Sequence, residues 1–186
     1  MKSSPILYKG EMVRAILEDR KRETRRIVNP QWIAKLGLDR QGLLAKYFPE
    51  QSPYGKRGDR LWVKETFTPW ADDYTKKVTG GKDACLYRAD YRNGTTPIEI
   101  GGYEHWKPSI FMPKIYSRIT LEITGIRVER LQDISEADAI AEGVPFGLMG
   151  KTHRIGYENL WNSINGVNAW DKNPWVWVIE FRRVLP

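Results

Sequence analysis

The sequence predicts an α+β fold, in the form of a small mixed β-barrel with helices at its rim and a long inserted excursion. The predicted order is strand, helix, strand, strand, excursion, strand, helix, helix and strand, which requires pairing between strands that are not adjacent in sequence. A small mixed barrel satisfies that order. The apolar run from Trp175 to Phe181 also indicates a strand that is central in a sheet or barrel.

The N-terminal segment predicts a strand, a helix and a second strand. Residues 6–8 form a short apolar run, and a helical pattern opens at Gly10 with an apolar face made of Met12, Val13, Ile16 and Leu17. The helix is expected to stop near Arg20. Alternating side chains from there to Arg26 favour a strand, although periodicity alone also allows a helix that continues through Arg26.

The middle of the chain contains one clear strand between two irregular stretches. Proline and glycine punctuate residues 29–57, which predicts a loop with room for one short helix. Residues 60–67 alternate as a strand. Residues 68–116 form the excursion, and its aromatic content is too high for a disordered segment. A connection of this length is commonly functional or inserted, and residues 86–90 within it are strand-like.

The second half contains the strongest strand pattern and two helical patterns. Residues 117–130 alternate between apolar and polar side chains. Ser135 and Asp138 have the spacing of a capping box, which predicts a helix that runs to about Glu142. An apolar stripe then predicts a second helix over residues 157–164.

The composition favours a polyanionic partner and gives no sign of a metal centre. The chain has 30 Lys and Arg against 23 Asp and Glu, a net charge of +7, which fits RNA, DNA or a free nucleotide. The lone cysteine, Cys85, and two histidines offer no metal-ligand spacing. No apolar run approaches the roughly 20 residues that span a bilayer, and no signal core follows the N-terminus. We therefore expect a cytoplasmic protein without cofactor, metal, membrane contact or obligate protein partner.

The densest cluster of charge is the run from Arg20 to Arg26, which has five cations, one carboxylate and one hydroxyl in seven positions. Because like charges repel, an anion lying against the run would stabilise it. Apolar residues on both sides indicate that the run belongs to a folded element. Two interpretations stay open, a solvated charged face or a phosphate or nucleotide site, and the candidate contacts for the second are Arg20, Arg22, Arg25 and Arg26.

Four segments in register resemble the ASCH domain, a branch of the PUA-like superfamily. They are the helix ending in Asp19-Arg20-Lys21 before a basic strand, the strand start Gly58-Asp59-Arg60-Leu61-Trp62-Val63, the segment Leu131 to Gly143, and the closing strand Val178-Ile179-Glu180-Phe181. The whole also looks like the longer versions found in phage and prophage genomes. The resemblance implies one domain over residues 1–186, with the excursion at about 68–116 as an insertion.

The resemblance implies a β-barrel whose cleft binds nucleic acid or a modified nucleoside. One bacterial branch of the family hydrolyses the amide of N(4)-acetylcytidine, and its proposed machinery is a lysine, a threonine three residues later and a glutamate from the later helix. In this sequence those positions are Lys21, Thr24 and Glu142. Another member has been reported as a ribonuclease, so the resemblance does not fix one activity.

Elementary chemistry is compatible with such an amidase. A threonine hydroxyl needs a base, and Lys21 could supply one if neighbouring cations lowered its pKa towards neutrality. Glu142 would carry a proton to the leaving amine, and Arg26, on the same strand face as Thr24, would hold a phosphate or polarise a carbonyl. A regular strand places Lys21 and Thr24 on opposite faces, so Lys21 must lie in the turn before the strand.

Trp106 and Lys107 are the preferred candidates for stacking on a base and contacting its phosphate. They combine an aromatic ring, a cation and a following turn within the excursion. Most other tryptophans are expected in the core, since strand alternation accounts for Trp175 and Trp177.

Three functions follow. The first is an ASCH-type domain that binds a nucleoside or nucleic acid, RNA rather than DNA, and hydrolyses an amide on a modified base such as N(4)-acetylcytidine. The second is a non-catalytic RNA- or DNA-binding module. The third is a metal-independent ribonuclease that uses Lys21, Arg26 and Glu142 near a phosphate.

Overall fold

The computed structural model describes residues 1–36, 52–69, 85–91, 93–100, 105–144 and 152–185. The expectations for the remainder of the loop at 29–57 and for the other parts of the excursion lie outside these residues. Every helix within them is too short or too polar to cross a lipid bilayer.

The chain begins with strand β1 (Ser3–Leu7), helix α1 (Gly10–Leu17), strand β2 (Glu23–Ile27) and helix α2 (Pro30–Leu36). The basic run therefore enters a strand, and the alternative of a helix through Arg26 is wrong. Helix α2 is the short helix for which the predicted loop left room.

A tight reversal separates α1 from β2. Helix α1 ends before the predicted Arg20, because Asp19 adopts the left-handed backbone conformation with φ 58°. The amides of Arg20 and Lys21 then both donate to the carbonyl of Ala15, at 2.9 and 3.0 Å. This reversal places Lys21 just ahead of the strand.

Five strands form one sheet in the order β1-β3-β6-β7-β2, with β3 at Arg60–Lys64, β6 at Thr120–Arg130 and β7 at Trp175–Val184. The β1–β3 pair is parallel and the other neighbours are antiparallel. Strand β6 carries a bulge between Ile123 and Gly125. Three of the four pairs in this sheet join strands that are not consecutive in the chain, as the sequence predicted, and only β6 and β7 are consecutive.

The predicted closed barrel is wrong, because the sheet formed by the described residues is open, with β1 and β2 at its edges. Strand β1 gives way to helix α1 at Gly10, so little extended backbone is left for β2 to pair with. A side chain joins the two edges in place of a ladder: Arg26 Nη2 donates to the carbonyl of Leu7 at 2.7 Å.

The described part of the excursion forms a second, smaller unit of structure. Strands β4 (Phe67–Pro69) and β5 (Cys85–Tyr87) form a two-stranded sheet, and the predicted strand at 86–90 turns into a 3₁₀ helix after Tyr87. Phe67, Cys85 and Met112 form their own apolar cluster. The predicted strand at 60–67 is therefore divided between two sheets.

Helices α3 (Glu136–Ala141) and α4 (His153–Asn165) pack against the face of β7 that carries Val176 and Val178. The predicted Ser135–Asp138 capping box is present at α3. Helix α4 begins before the predicted residue 157 because the Thr152 hydroxyl accepts from the amide of Ile155 at 3.4 Å. That cap was missed in the sequence.

Strand β7 divides the apolar interior into two cores. Val176 and Val178 pack with residues of α3 and α4, whereas Ile179 and Phe181 pack with residues of α1, β1 and β3. Alternation along a strand explains the division, because successive side chains point to opposite faces. Strand β2 pairs with β7 at the edge, so its side chains lie where the two cores meet.

Candidate functional site

A cavity of about 280 Å³ opens beside edge strand β2, between the end of β1 and helix α4. Small-molecule sites have volumes of roughly 300–1,000 Å³, so this one is at the lower limit. One wall is apolar and comes from Leu160, Trp161 and Ile164. The polar part of the lining is formed by Tyr8, Lys21, Thr24, Arg25, Arg26 and Glu142.

Lys21 and Glu142 form a buried ion pair in the cavity wall. Lys21 Nζ lies 2.6 Å from Glu142 Oε2 and 2.9 Å from the Glu142 carbonyl oxygen. The two side chains are 2% and 4% exposed. Burial lowers the pKa of Lys21, while the charge of Glu142 opposes that shift. The pair is therefore joined by one short, charge-assisted hydrogen bond in a buried site.

Lys21 lies in the segment before β2, which resolves the spacing difficulty with Thr24. Its backbone forms an isolated antiparallel bridge with Glu142. Thr24 follows on β2, is 4% exposed and lines the same cavity. The fold thus brings together Lys21, Thr24 and Glu142, the three positions that the family resemblance selected.

Gly143 permits the close approach of helix α3 to Lys21. Its φ is +77°, in the left-handed region that favours glycine. A Cβ at this position would lie 2.8 Å from Lys21 Cβ and 3.0 Å from Ala15 Cβ. The residue that ends the predicted helix therefore also sets the distance between the two chain segments of the site.

Arg25 is enclosed by carboxylates of this chain. Its side chain is 0% exposed, and its guanidinium lies 2.7 Å from Glu129 and 3.3 Å from Asp138 and Glu142, with Glu23 also in contact. These internal carboxylates supply the anion that the basic run was expected to need. Arg25 also contacts Glu142 Oε1 while Lys21 contacts Oε2, so the carboxylate is fixed from both sides.

The carboxylate cluster around Arg25 contains one group with an unusual protonation equilibrium. Burial raises the pKa of Glu23 to about 7, even though Arg25 and Arg127 act to lower it. Within the described ranges, no group of three or more His, Cys, Asp or Glu side chains is arranged to hold a metal ion.

Arg26 and Tyr8 lie at the open edge of the sheet, where β2 faces the end of β1. The Arg26 guanidinium carbon is 5.3 Å from the centre of the Tyr8 ring, and Lys21 Nζ is 5.8 Å from the same centre. Tyr8 is 5% exposed. Two cations of the basic run therefore pack on one buried tyrosine.

Arg20 and Arg22 do not line this cavity. They border a separate pocket on the other side of the reversal, together with Ala137 and Ile140. Arg20 pairs with Glu18 and Arg22 with Asp19, and both arginine side chains are largely exposed. The basic run is thus divided between two surfaces, and a ligand contact at these two arginines stays a prediction.

Trp106 and Lys107 lie in the excursion and also do not line the cavity. Trp106 Nε1 donates to the carbonyl of Thr95 at 3.0 Å, and its ring packs against Tyr91. The backbone of Lys107 pairs with that of Phe67. A stacking role for this segment stays a prediction.

Two solved structures are similar to this chain. The crystal structure of hypothetical protein PH0355 is 13% identical, with a TM-score of 0.45, and the match covers 99% of this chain and 100% of that chain. The ASCH domain from Lactobacillus crispatus JV V101 is 11% identical, with a TM-score of 0.42, and the match covers 98% of this chain and 79% of that chain. No protein-family model and no curated protein matches the chain.

Several residues of the site were missed in the sequence, because they come from distant segments. Tyr8 was interpreted as the end of an apolar strand, and Tyr157 and Trp161 as one apolar face of a helix. In the fold, the Tyr157 hydroxyl is within hydrogen-bonding reach of Glu142, and burial raises the pKa of Tyr157. Local periodicity identifies a buried helix face but does not distinguish a core face from a cavity wall.

Proposed function

We propose that this protein binds a single nucleoside in the cavity beside β2 and hydrolyses an amide on its modified base. The observation that carries the proposal is the buried Lys21–Glu142 pair next to Thr24 in one cavity. N(4)-acetylcytidine is the substrate that the ASCH resemblance favours. The proposal includes one ASCH-like domain over residues 1–186, with an insertion at about 68–116.

The reaction begins with attack of the Thr24 hydroxyl oxygen on the acyl carbon. Lys21, in its neutral form, accepts the hydroxyl proton as the new C–O bond forms. The C–N bond then breaks, and the leaving amine takes a proton that passes from Lys21 through Glu142. A water molecule hydrolyses the resulting threonine ester, which releases the carboxylic acid and restores Thr24.

The electrostatics of the cavity support these roles. A lysine acts as a base only when its pKa falls towards the working pH, and burial lowers the pKa of Lys21. Arg25 contacts Glu142 at 3.3 Å and keeps that carboxylate in place during proton transfer. Arg25 therefore contacts one oxygen of the Glu142 carboxylate, and Lys21 contacts the other.

The size and walls of the cavity favour a nucleoside over a polymer. Its volume of about 280 Å³ suits one small ligand. The apolar wall of Leu160, Trp161 and Ile164 provides a surface for the flat face of a base. A phosphate backbone needs a row of exposed cations, whereas Arg25 is buried and paired inside the protein.

Hydrolysis of N(4)-acetylcytidine, followed by chromatography, tests the proposal. We expect turnover by the wild type and a loss of about 10³-fold or more in kcat/KM for Thr24→Val, Lys21→Met and Glu142→Gln. Glu122→Gln is the control, because Glu122 pairs with Arg182 and neither residue lines the cavity. Circular dichroism and thermal unfolding confirm that each variant is folded.

Two results would count against the proposed reaction. Turnover that survives in Thr24→Val would exclude Thr24 as the nucleophile. A folded wild type without turnover would favour the RNA- or DNA-binding module or the ribonuclease, which titration and cleavage assays with RNA and DNA oligonucleotides would then separate.

A further inference from the structure

Three buried hydrogen-bond donors of residues that line the cavity have no partner within the part of the chain that the structure describes. Among the described residues, five buried side-chain nitrogen or oxygen atoms make no hydrogen bond. Three of the five belong to residues that line this one cavity, namely Tyr8 Oη, Arg26 Nε and Trp161 Nε1. Buried polar groups are nearly always paired in native proteins, so three unpaired donors in the residues of one cavity indicate a ligand that pairs with them once the surrounding side chains adjust.

We propose that Tyr8 is a further catalytic residue, whose hydroxyl, together with Arg26 Nε, binds the carbonyl oxygen of the acyl group. Trp161 Nε1 binds a second acceptor on the base. This inference rests on the proposed function. It adds an oxyanion site and a basis for substrate selection to the Lys21, Thr24 and Glu142 machinery.

The position of Tyr8 fits an oxyanion site. Its hydroxyl lies beside the Thr24 hydroxyl and the Arg26 guanidinium without a hydrogen bond of good geometry to either. When Thr24 attacks an acyl carbon, negative charge develops on the carbonyl oxygen, which is bonded to the same carbon. Donors next to the nucleophile are therefore the ones that reach that oxygen.

The surroundings of Tyr8 keep it in place as a donor. Burial raises the pKa of Tyr8 above its ordinary value, so the hydroxyl keeps its proton at neutral pH. Its ring packs against Arg26 at 5.3 Å and Lys21 at 5.8 Å. Arg26 is itself anchored by the bond from Nη2 to the carbonyl of Leu7, which leaves Nε available.

The chemistry of the unpaired groups selects the ligand. Arg26 Nε and Trp161 Nε1 can only donate, and Tyr8 donates readily, so the complementary ligand presents several acceptors. An acylated cytosine base has an acyl oxygen and a ring carbonyl oxygen. Cytidine lacks the acyl oxygen, and it should therefore leave the Tyr8 hydroxyl unpaired.

The variant Tyr8→Phe separates this role from a structural one. We expect kcat on N(4)-acetylcytidine to fall about 10²-fold, with a smaller change in KM. The melting temperature should stay the same or rise, because the removed hydroxyl makes no hydrogen bond to any residue that the structure describes. Tyr87→Phe is the matched control: the Tyr87 hydroxyl donates to the carbonyl of Tyr116 at 2.9 Å, away from the cavity. Its loss should lower the melting temperature by about 2–4 °C and leave kcat unchanged.

Binding measurements keep the inference distinct from the proposed reaction. In the Thr24→Val background, calorimetry should show that Tyr8→Phe weakens binding of N(4)-acetylcytidine about tenfold and binding of cytidine hardly at all. If the wild type does not turn over N(4)-acetylcytidine, the same Tyr8-dependent preference would still establish the acyl-carbonyl site without catalysis. Equal weakening of both nucleosides, or binding of neither, would overturn the inference, as would an unchanged kcat in Tyr8→Phe.

Discussion

At the scale of single residues, Lys21 illustrates how a cation can be buried without an unpaired charge. Lys21 Nζ donates to two acceptors of one residue, the carboxylate and the backbone carbonyl of Glu142. Water cannot take the place of either partner, since the side chains of Lys21 and Glu142 are only 2% and 4% exposed. The pair is therefore much more sensitive to removal of one member than a surface ion pair is.

We predict that Lys21→Met lowers the free energy of unfolding by about 3 kcal/mol, because Glu142 Oε2 would lose its buried partner and the carboxylate would keep only the longer Arg25 contact to Oε1. The double variant Lys21→Met with Glu142→Gln should recover a large part of that loss. Denaturant unfolding measures both effects. Arg182→Met, which breaks an exposed pair with Glu122, is the control and should cost at most about 1 kcal/mol. A loss no larger for Lys21→Met than for the control would contradict the prediction.

A second prediction concerns Glu23 and pH. Its pKa is about 7 in the folded protein against an ordinary 4.5. Between these values the folded protein retains a proton that the unfolded chain has released, so the stability from protonated Glu23 is lost as the pH rises through about 7. Unfolding measured from about pH 4.5 to 8 should therefore show the wild type losing stability relative to Glu23→Gln. If the free energies of unfolding of the wild type and Glu23→Gln changed with pH in parallel, Glu23 would titrate in its ordinary range.

At the scale of elements, the site depends on where short elements end. Helix α3 ends at Ala141, and the next two residues approach the segment that precedes β2. Gly143 allows this approach through its positive φ and through the absence of a Cβ. The end of a six-residue helix thus places Glu142 against Lys21.

We predict that Gly143→Ala disturbs the site as well as the fold. The added Cβ meets Lys21 Cβ at 2.8 Å and Ala15 Cβ at 3.0 Å, so the two segments must move apart. Gly166→Ala is the matched control, since Gly166 also has a positive φ, at the end of α4, but nothing lies within 4 Å of its added Cβ. We expect a backbone cost of about 1–3 kcal/mol in each variant, and at least tenfold lower kcat only in Gly143→Ala, where the two segments of the site must move apart. Equal effects on kcat in the two variants would show that only backbone strain matters.

At the scale of the whole molecule, the net charge of +7 does not translate into one exposed cationic face along the basic run. Arg25 is neutralised inside the protein by carboxylates from β2, β6 and α3. Arg20 and Arg22 belong to a different pocket from Arg26. The cations of the basic run therefore act mainly inside the fold, where their ion pairs join separate chain segments.

This distribution of charge predicts a weak salt dependence for ligand binding. Binding of the uncharged nucleoside N(4)-acetylcytidine to the Thr24→Val variant should change little between about 50 and 200 mM salt. Calorimetric titrations at several salt concentrations measure this, with a single-stranded RNA oligonucleotide as the comparison. Steep salt dependence together with tighter binding of the oligonucleotide would instead indicate recognition led by phosphates.

The amount that the sequence could predict differs between these scales. The alternation from Lys21 to Arg26 predicted the strand, and the odd spacing to Thr24 correctly required Lys21 to precede it. The family resemblance then selected Glu142, which is 121 positions away from Lys21. The carboxylates around Arg25 and the unpaired donors of Tyr8 and Trp161 were not predictable, because each contact joins distant segments and leaves no local period.

The open sheet was beyond prediction for a related reason. The order of elements along the chain indicates which strands pair. Closure of the sheet into a barrel depends instead on whether β1 and β2 have matching lengths of extended backbone. The change to helix at Gly10 decides this, and the sequence pattern locates that helix without showing what faces it. The hydrogen bond from Arg26 to Leu7 is the outcome of that mismatch.

The two hydrogen bonds from Lys21 to Glu142 also determine how the amine can change its protonation state. A charged lysine has three N–H bonds and a neutral one has two. Glu142 offers two acceptors, its carboxylate and its carbonyl, so the neutral amine keeps both bonds and lacks only the third hydrogen, which Thr24 would supply. Lys21 can therefore take up that proton without rotating its side chain and without leaving an oxygen of Glu142 unpaired.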